Sequence, residues 1–395
     1  MRLITLNKTG LNKLRSHHKE LKQADLQDSI KSLSPGEWIT LASGEEFWIG
    51  FANPMIEEKF ACVQVLTSSS KLNLASFSAE SFIIQALENA YQKRKVFADY
   101  EKGCRLFYGH TDGLPGLIVD TFNNTAIVQI NTAGIDRFRD LIRETISRLI
   151  NGKAYLLDNP KYREKECLPT FENESVPELS IQENGLKYTL RPDVLQKVGF
   201  YYDHRENRVQ LQHLLKRLNR KFNHGVDLFC YAGAWGLNAL KAGVERVDFV
   251  DQGDFETEIS VGLRNNNFED RGAYHRQDVF KFLDYSLSQG KTYDIILCDP
   301  PAFAKSHLQK DQALEGYSKL HRKVFKMAKP GALLAFSSCT HYVSHSEFEK
   351  NVTEAALKEN KKIQLLYCGL QGWDHPITRM DDRSNYIKSY FYLME

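Results

Sequence analysis

The sequence predicts an α/β protein in three parts: a β-rich unit over 1–72, a mixed α+β region over 73–185, and a doubly wound parallel domain over 186–395. Three observations carry this. Strands and helices alternate from about residue 186 onward, the pattern of a parallel sheet with crossover helices. The segment VDLFCYAGAWG runs from an apolar strand through a glycine turn into a helix. A chain of 395 residues suits two to three domains at roughly 150 residues each. With 42% hydrophobic and 26% charged residues the chain matches ordinary globular proteins, which excludes a disordered chain, a collagen or a disulfide scaffold. Lys+Arg number 52 against 50 Asp+Glu, so a nucleic-acid partner would have to be held by local patches.

The elements run in order along the chain. GEWITLASGEEFWIGFANP reads as two strands, Trp38–Leu41 and Phe47–Phe51, around a turn at Ser43-Gly44. ACVQVLTS reads as a third strand, and TSSSKLN as a linker. SAESFIIQALENAYQKRKVF has helical spacing at Phe82, Leu87 and Tyr91. RLFYGHTDGLPGLIVDTFNNTAIVQIN reads as a β-meander with turns at Asp112-Gly113 and Asn123-Asn124. A helix with Phe138, Leu141, Ile142, Leu149 and Ile150 on one face comes next, then a strand in AYLLDNP, then a polar stretch, KYREKECLPTFENESVPEL, read as a surface loop. Leu211, Leu214, Leu215 and Leu218 mark a helix. Strands are predicted in ERVDFVDQ, YDIILCDPPAF and KPGALLAFSSCTHY, and a last helix opens on a capping box, Ser344 with Glu347.

Seven scattered cysteines without a CxxC pair point to a reducing compartment and no zinc ribbon. The first residues, MRLITLNKTGLNKLRSHHK, lack a signal-peptide core, and no apolar run reaches the ~18 residues of a membrane span. A cytoplasmic protein is expected.

Gly233 and Gly236 stand between the apolar strand and the helix, where backbone N–H groups face a ligand. Asp251 ends the next strand, placed to accept both ribose hydroxyls of an adenosine cofactor, and Asp278, at the end of a third strand, could accept the adenine amine. The full GxGxxG fingerprint is absent, which speaks against a dinucleotide. Asp227 opens DLFCYAG, a form more typical of sites for zwitterionic S-adenosylmethionine. A bare strand–helix turn is the bland alternative for the glycines.

CDPPAFAKS ends a strand with Asp299, Pro300, Pro301 and Phe303. Two prolines stiffen the loop. An acid, a rigid turn and an aromatic ring suit a planar base, against the plainer reading of a connection with a core phenylalanine. Cys339, after the next strand, could attack a pyrimidine ring, whereas a lone cysteine is often only a small core side chain. Cys298 and Cys230 read as structural. The basic residues Lys216, Arg217, Arg220 and Lys221 read as a solvated helix face; Arg205 and Arg208, beside GFYYD, are better placed to grip phosphates.

Taken in order, LFYGHTDGLPGLIVDTF, LQKVGFYYDHRENR, DLFCYAGAWG, CDPPAFAKS, FSSC and DHP resemble the RlmI-type class I methyltransferases of large-subunit ribosomal RNA. The resemblance implies an N-terminal PUA domain, a central α/β domain and a C-terminal Rossmann-like catalytic domain. It implies S-adenosylmethionine as methyl donor and carbon 5 of a cytosine in 23S ribosomal RNA as acceptor. Carried over, Lys197, Phe200, Asp203 and Arg205 fold over the cofactor; Asp227, Phe229, Tyr231, Gly233, Asp251, Asp278 and Asp299 line it. Pro300, Pro301, Phe303, Lys305 and Arg208 are expected at the substrate, and Asp299 and Cys339 carry the chemistry. Ala302 stands where other cytosine-5 methyltransferases have a cysteine, which leaves Cys339 as the nucleophile. No metal is expected, and a homodimer is compatible with the chain. Three rivals stay open: an amino-methyltransferase using DPPAF without a cysteine, a non-catalytic RNA-binding assembly factor, and a nicotinamide oxidoreductase.

Overall fold

The structure is a computed structural model that describes residues 1–68, 76–97, 100–195, 199–304, 306–380 and 384–395. The expected linker TSSSKLN lies largely outside these residues, as do Lys197 and Lys305. Met1–Pro177 form one compact unit; Glu178–Leu195 with Phe200–Glu395 form a second.

The first unit begins with β1 (Arg2–Thr5), α1 (Lys8–Arg15), β2 (Glu20–Leu21), β3 (Glu37–Ser43), β4 (Glu46–Ala52) and β5 (Val63–Ser68), in a sheet of order β1-β3-β4-β5-β2. The β3–β4 hairpin turns through Gly44, whose φ of +59° is left-handed. After α2 (Ala79–Lys95) come β6 (Cys104–Tyr108), β7 (Leu117–Phe122) and β8 (Thr125–Ile130), the expected meander, then α3 (Ala133–Asp136), α4 (Arg139–Leu149) and β9 (Lys153–Leu156), which pairs parallel to β8.

These two sheets share one core. Trp38, Ile49, Phe51 and Leu66 of the first sheet pack with Ile83, Leu87, Leu117, Ile142 and Ile146 of the second region. A Cβ on Gly134 would lie 2.0 Å from the Phe51 ring, and Trp38 Nε1 donates to the Gly134 carbonyl at 3.0 Å. Each buried aliphatic side chain here contributes about 1.5–3 kcal/mol, which is why the two stretches form one compact unit. The stretch read as a surface loop contains α5 (Pro160–Lys165), whose Arg163 is fully buried. The Arg163 guanidinium forks onto Asp136 at 2.8 and 3.0 Å and donates to the Pro169 carbonyl at 2.6 Å.

The second unit opens with a hairpin, β10 (Leu179–Glu183) and β11 (Leu186–Leu190), around Asn184-Gly185, both at positive φ. The predicted boundary at 185 cuts this hairpin. An Asn-Gly pair between alternating apolar residues is a strong hairpin signal, and both of its strands belong to the second unit.

The rest alternates as predicted: α6 (Arg205–Arg217), β12 (His224–Leu228), α7 (Ala234–Lys241), β13 (Arg246–Asp251), α8 (Glu256–Asn265), β14 (Gly272–Arg276), α9 (Val279–Ser288), β15 (Tyr293–Cys298), α10 (Lys310–Met327), β16 (Ala328–Ser338), α11 (His345–Lys358), β17 (Ile363–Gly369) and β18 (Lys388–Met394). The sheet order is β14-β13-β12-β15-β16-β18-β17. Strands β12 to β16 are mutually parallel, but β18 runs antiparallel between β16 and β17. The wholly parallel sheet is therefore corrected. β17 follows the crossover helix α11, whereas among the described residues no helix lies between β17 and β18, and both strands escaped the sequence reading. The core between sheet and helices includes Val226, Leu228, Leu283, Ile296, Tyr317, Phe336 and Phe348. β12 has parallel neighbours on both sides and connections diverge from it, which makes its carboxyl end the place where sheets of this kind bind ligands.

Candidate active site

The loop leaving β12 is held in an uncommon conformation. Phe229, Tyr231 and Gly233 have φ of +62°, +47° and +74°. Left-handed backbone costs a bulky residue about 1–3 kcal/mol, and such strain gathers at ligand sites. Beneath the loop, Asp227 accepts the Gly236 N–H at 2.8 Å. Asp227 is completely buried and braces the turn from below. Burial pushes its carboxyl well above the usual range, opposed by the Gly236 N–H and aided by the charges of Asp299 and Asp251. The glycines are needed for packing: a Cβ on Gly236 would meet the Phe249 ring at 2.3 Å, and one on Gly233 would meet Ile259 at 2.5 Å. Both glycines thus let α7 sit on β13.

Asp251 ends β13 half-exposed, accepting the Tyr231 N–H at 3.2 Å and the Gly253 N–H at 2.9 Å. The Tyr231 ring stands edge-on to Phe255 at 4.9 Å and to Tyr201 at 5.2 Å. Asp278, exposed just past β14, caps α9 by accepting the Lys281 N–H at 3.0 Å.

Asp299 comes directly after β15 at the same edge. Its Oδ2 accepts the Trp235 Nε1–H at 3.0 Å and lies 3.5 Å from His204 Nε2. Pro300 is buried and Pro301 exposed. Half-buried Phe303 stacks on Tyr317 with centroids 4.7 Å apart, which occupies one face of its ring. Cys298 pairs with Phe336 across β15 and β16, so Asp299 falls level with Ser337 and Cys339 follows two residues farther along at the same carboxyl edge. Cys339 is half-buried. Tyr201 and Tyr317 both lie close enough to feel the charges of Cys339 and Asp299. Cys298 and Cys230 are buried, and burial pushes both thiols up, as structural cysteines require.

The GFYYDHRENR segment departs most from expectation. Phe200 is buried against Tyr188 and Tyr202, at 4.7 and 5.4 Å, so it is a core side chain and does not fold over a cofactor. Asp203 is buried and accepts the Tyr386 hydroxyl at 2.8 Å. Arg205 is buried beside Asp374 at 3.2 Å, with Trp373 and Tyr202 over its guanidinium. Arg208 is sealed against Glu183 through two bonds of 2.6 Å. Neither arginine is available to phosphate: a buried guanidinium holds its carboxylate because losing that partner would strand a charge. Lys216, Arg217, Arg220 and Lys221 are exposed, the solvated face expected of them.

Trp235, His204 and Tyr201 were missed. A tryptophan inside the glycine motif, one residue before Gly236, was the available signal for the first. For His204 and Tyr201 only the fold reveals what they face.

Comparison with known proteins places this geometry. The chain is 30% identical over 296 residues, 72% of its length and 73% of the relative's, to ribosomal RNA large subunit methyltransferase I of Shewanella frigidimarina. The chain belongs to the ribosomal RNA large subunit methyltransferase I family. A protein of Methanocaldococcus jannaschii named as a putative ribosomal RNA large subunit methyltransferase is 31% identical over 93% of this chain and 92% of its own. The family model described as conserved hypothetical protein 95 matches residues 209–351, from within α6 into α11. A solved methyltransferase complexed with SAH superposes with a TM-score of 0.78 over 100% of both chains at 19% identity, which shows the shared Rossmann-like methyltransferase fold. Among the described residues no group of His, Cys, Asp and Glu is arranged to hold a metal, and no helix is long and apolar enough to cross a membrane.

Proposed function

We propose that this protein methylates carbon 5 of a cytosine in large-subunit ribosomal RNA through a covalent adduct on Cys339. The coarser activity, a methyltransferase of large-subunit ribosomal RNA that uses S-adenosylmethionine, is that of its family.

The residues present fit that cofactor. Asp227 Oδ1 is buried and has no hydrogen-bond partner among the described residues, so it can take a donor from a cationic ligand. Asp227, Asp251 and Asp299 feel one another's charge, and a site with three neighbouring carboxylates favours a sulfonium and an ammonium over a pyrophosphate. Asp251, Tyr231, Phe229, Gly233 and Asp278 would hold the adenosine part, with Asp227 below. When bound, S-adenosylmethionine supplies an electrophilic methyl group.

The chain's own residues do the rest. The target base is unstacked into the site, where Pro300, Pro301 and the free edge of Phe303 bound it. The Cys339 thiolate adds to carbon 6, and the electron pair moves onto carbon 5, which becomes the nucleophile. Asp299, oriented by Trp235 and with His204 Nε2 3.5 Å away, hydrogen-bonds the ring nitrogen and amine edge and stabilises the adduct. After carbon 5 is methylated it loses its proton to a base, the carbon–sulfur bond breaks, and the thiolate is restored.

The observation that carries this reading is the shared edge: Asp299 and Cys339 leave adjacent parallel strands beside the strained loop after β12. The five-stranded sheet of the first unit is proposed as the PUA-like surface that holds RNA. The test is bisulfite and mass-spectrometric mapping of ribosomal RNA treated with wild-type protein and with Cys339→Ala. A 5-methylcytosine lost in the variant by at least about a thousandfold in rate, ~4 kcal/mol, is the expected result. Methylation of a base nitrogen, or a fully active Cys339→Ala, would exclude the adduct.

A further inference from the structure

Lys388 is the first residue of β18 and lies opposite Ser338, the last residue of β16 and the neighbour of Cys339. Its side chain is buried, at 1% exposure. The ammonium donates to the Thr340 carbonyl and, at 2.8 Å, to the Val343 carbonyl, on the turn just after Cys339. Among the described residues it forms no ion pair with a carboxylate. A buried ammonium without a counter-ion costs several kcal/mol, and a methionine would fill the same space without that cost.

We propose that Lys388 is a positioning residue that holds Cys339 as the thiolate, its buried ammonium serving as counter-ion to the attacking sulfur. This rests on the reading of Cys339 as nucleophile. The groups around the lysine are few: Cys339 and Glu347 favour its charge and His345 feels it, while Glu347 is already engaged by Lys310 and by Ser344 at the helix cap. Tyr201, Tyr317 and Lys388 all lie near the cysteine, and Lys388 is the cation of these three. Burial pushes Lys388 down to about 8, and negative charge on Cys339 pushes it back up. The coupling is reciprocal: whatever the thiolate does for the ammonium, the ammonium does for the thiolate. The two bonds to the carbonyls of Thr340 and Val343 also fix the turn that aims the sulfur.

Iodoacetamide labelling of the Cys339 peptide across pH 5–10, read by mass spectrometry, tests this in wild type, Lys388→Met and Lys388→Arg. Circular dichroism and SAH binding confirm that each variant is folded. The wild-type midpoint is expected at least about one unit below an ordinary thiol near 8.5. Lys388→Met raises it by about one unit and slows labelling at pH 7 about tenfold, and Lys388→Arg restores most of the shift. A wild-type midpoint at or above the ordinary value overturns the proposal even if Lys388→Met does not fold, as does an unmoved midpoint in folded Lys388→Met. An active Cys339→Ala would instead overturn the covalent reading, and leaves the measured midpoint standing.

Discussion

Asp299 is useful only if its carboxylate is held at one angle, and Trp235 does much of that holding through a single N–H. A hydrogen bond to a charged group contributes about 1.5–3 kcal/mol. Trp235→Phe keeps the ring and removes the donor. Its kcat should fall about tenfold, ~1.4 kcal/mol, with SAH affinity within about threefold by calorimetry. An unchanged kcat would show that this hydrogen bond does not position the carboxylate. Lys388 also makes a prediction about stability. Its folded pKa, near 8, lies below that of an exposed lysine, so between pH 8 and 9.5 the unfolded chain binds more protons than the folded one. Stability from Lys388 therefore rises with pH across that window, and is lowest below pH 8, where the buried charge is fully present. Urea melts at pH 8 and 9.5 should show the rise, and Lys388→Met should flatten it.

The helix after the glycine loop shows what one element demands of another. α7 lies so close to β13 that Gly236 has no room for a methyl group. Gly236→Ala would force Phe249 or the helix to move, and overpacking of this kind costs about 1–3 kcal/mol. A lowered melting temperature with weakened SAH binding is expected, because the same shift moves the N–H that anchors Asp227. A variant as stable as wild type would show that the interface has slack. Elements with a strong period were legible from the residues: β3, β4, the meander, α6, the β12–α7 turn and the capped α11. Those that failed did so for identifiable reasons. α5 is short and polar, and the charge of its Arg163 is met by Asp136, far away in the chain. On α2 the buried face is Ile83, Leu87, Ala90 and Arg94, one step from the predicted one, because Arg94 is neutralised by Asp112 at 2.7 and 2.8 Å. Spacing of apolar residues does not reveal a charge that a distant partner allows inside.

The second unit carries every described residue proposed for catalysis or cofactor binding, so ligand effects should be confined to it. SAH at a hundred times its dissociation constant should stabilise that unit by about 2.7 kcal/mol. Hydrogen exchange should slow at 228–236 and 251–253 and stay unchanged in Met1–Pro177. Equal slowing in the first unit would contradict this assignment.

The residues alone were enough to determine the alternating α/β plan, the glycine turn after an apolar strand, and Asp299 and Cys339 as groups ending successive strands at one edge. Those are local patterns, and local patterns carry period and turn chemistry. The tertiary structure decided which charges are inside. Phe200, Asp203, Arg205 and Arg208 look like site residues in a row, yet each is closed off by a partner from elsewhere: Tyr188, Tyr386, Asp374 and Glu183. It also decided that β18 returns antiparallel between β16 and β17, which puts Lys388 beside the strand end that bears Cys339. The order in which strands pair is set by the burial of whole faces and the reach of connecting loops, and neither is written in any short stretch of the chain.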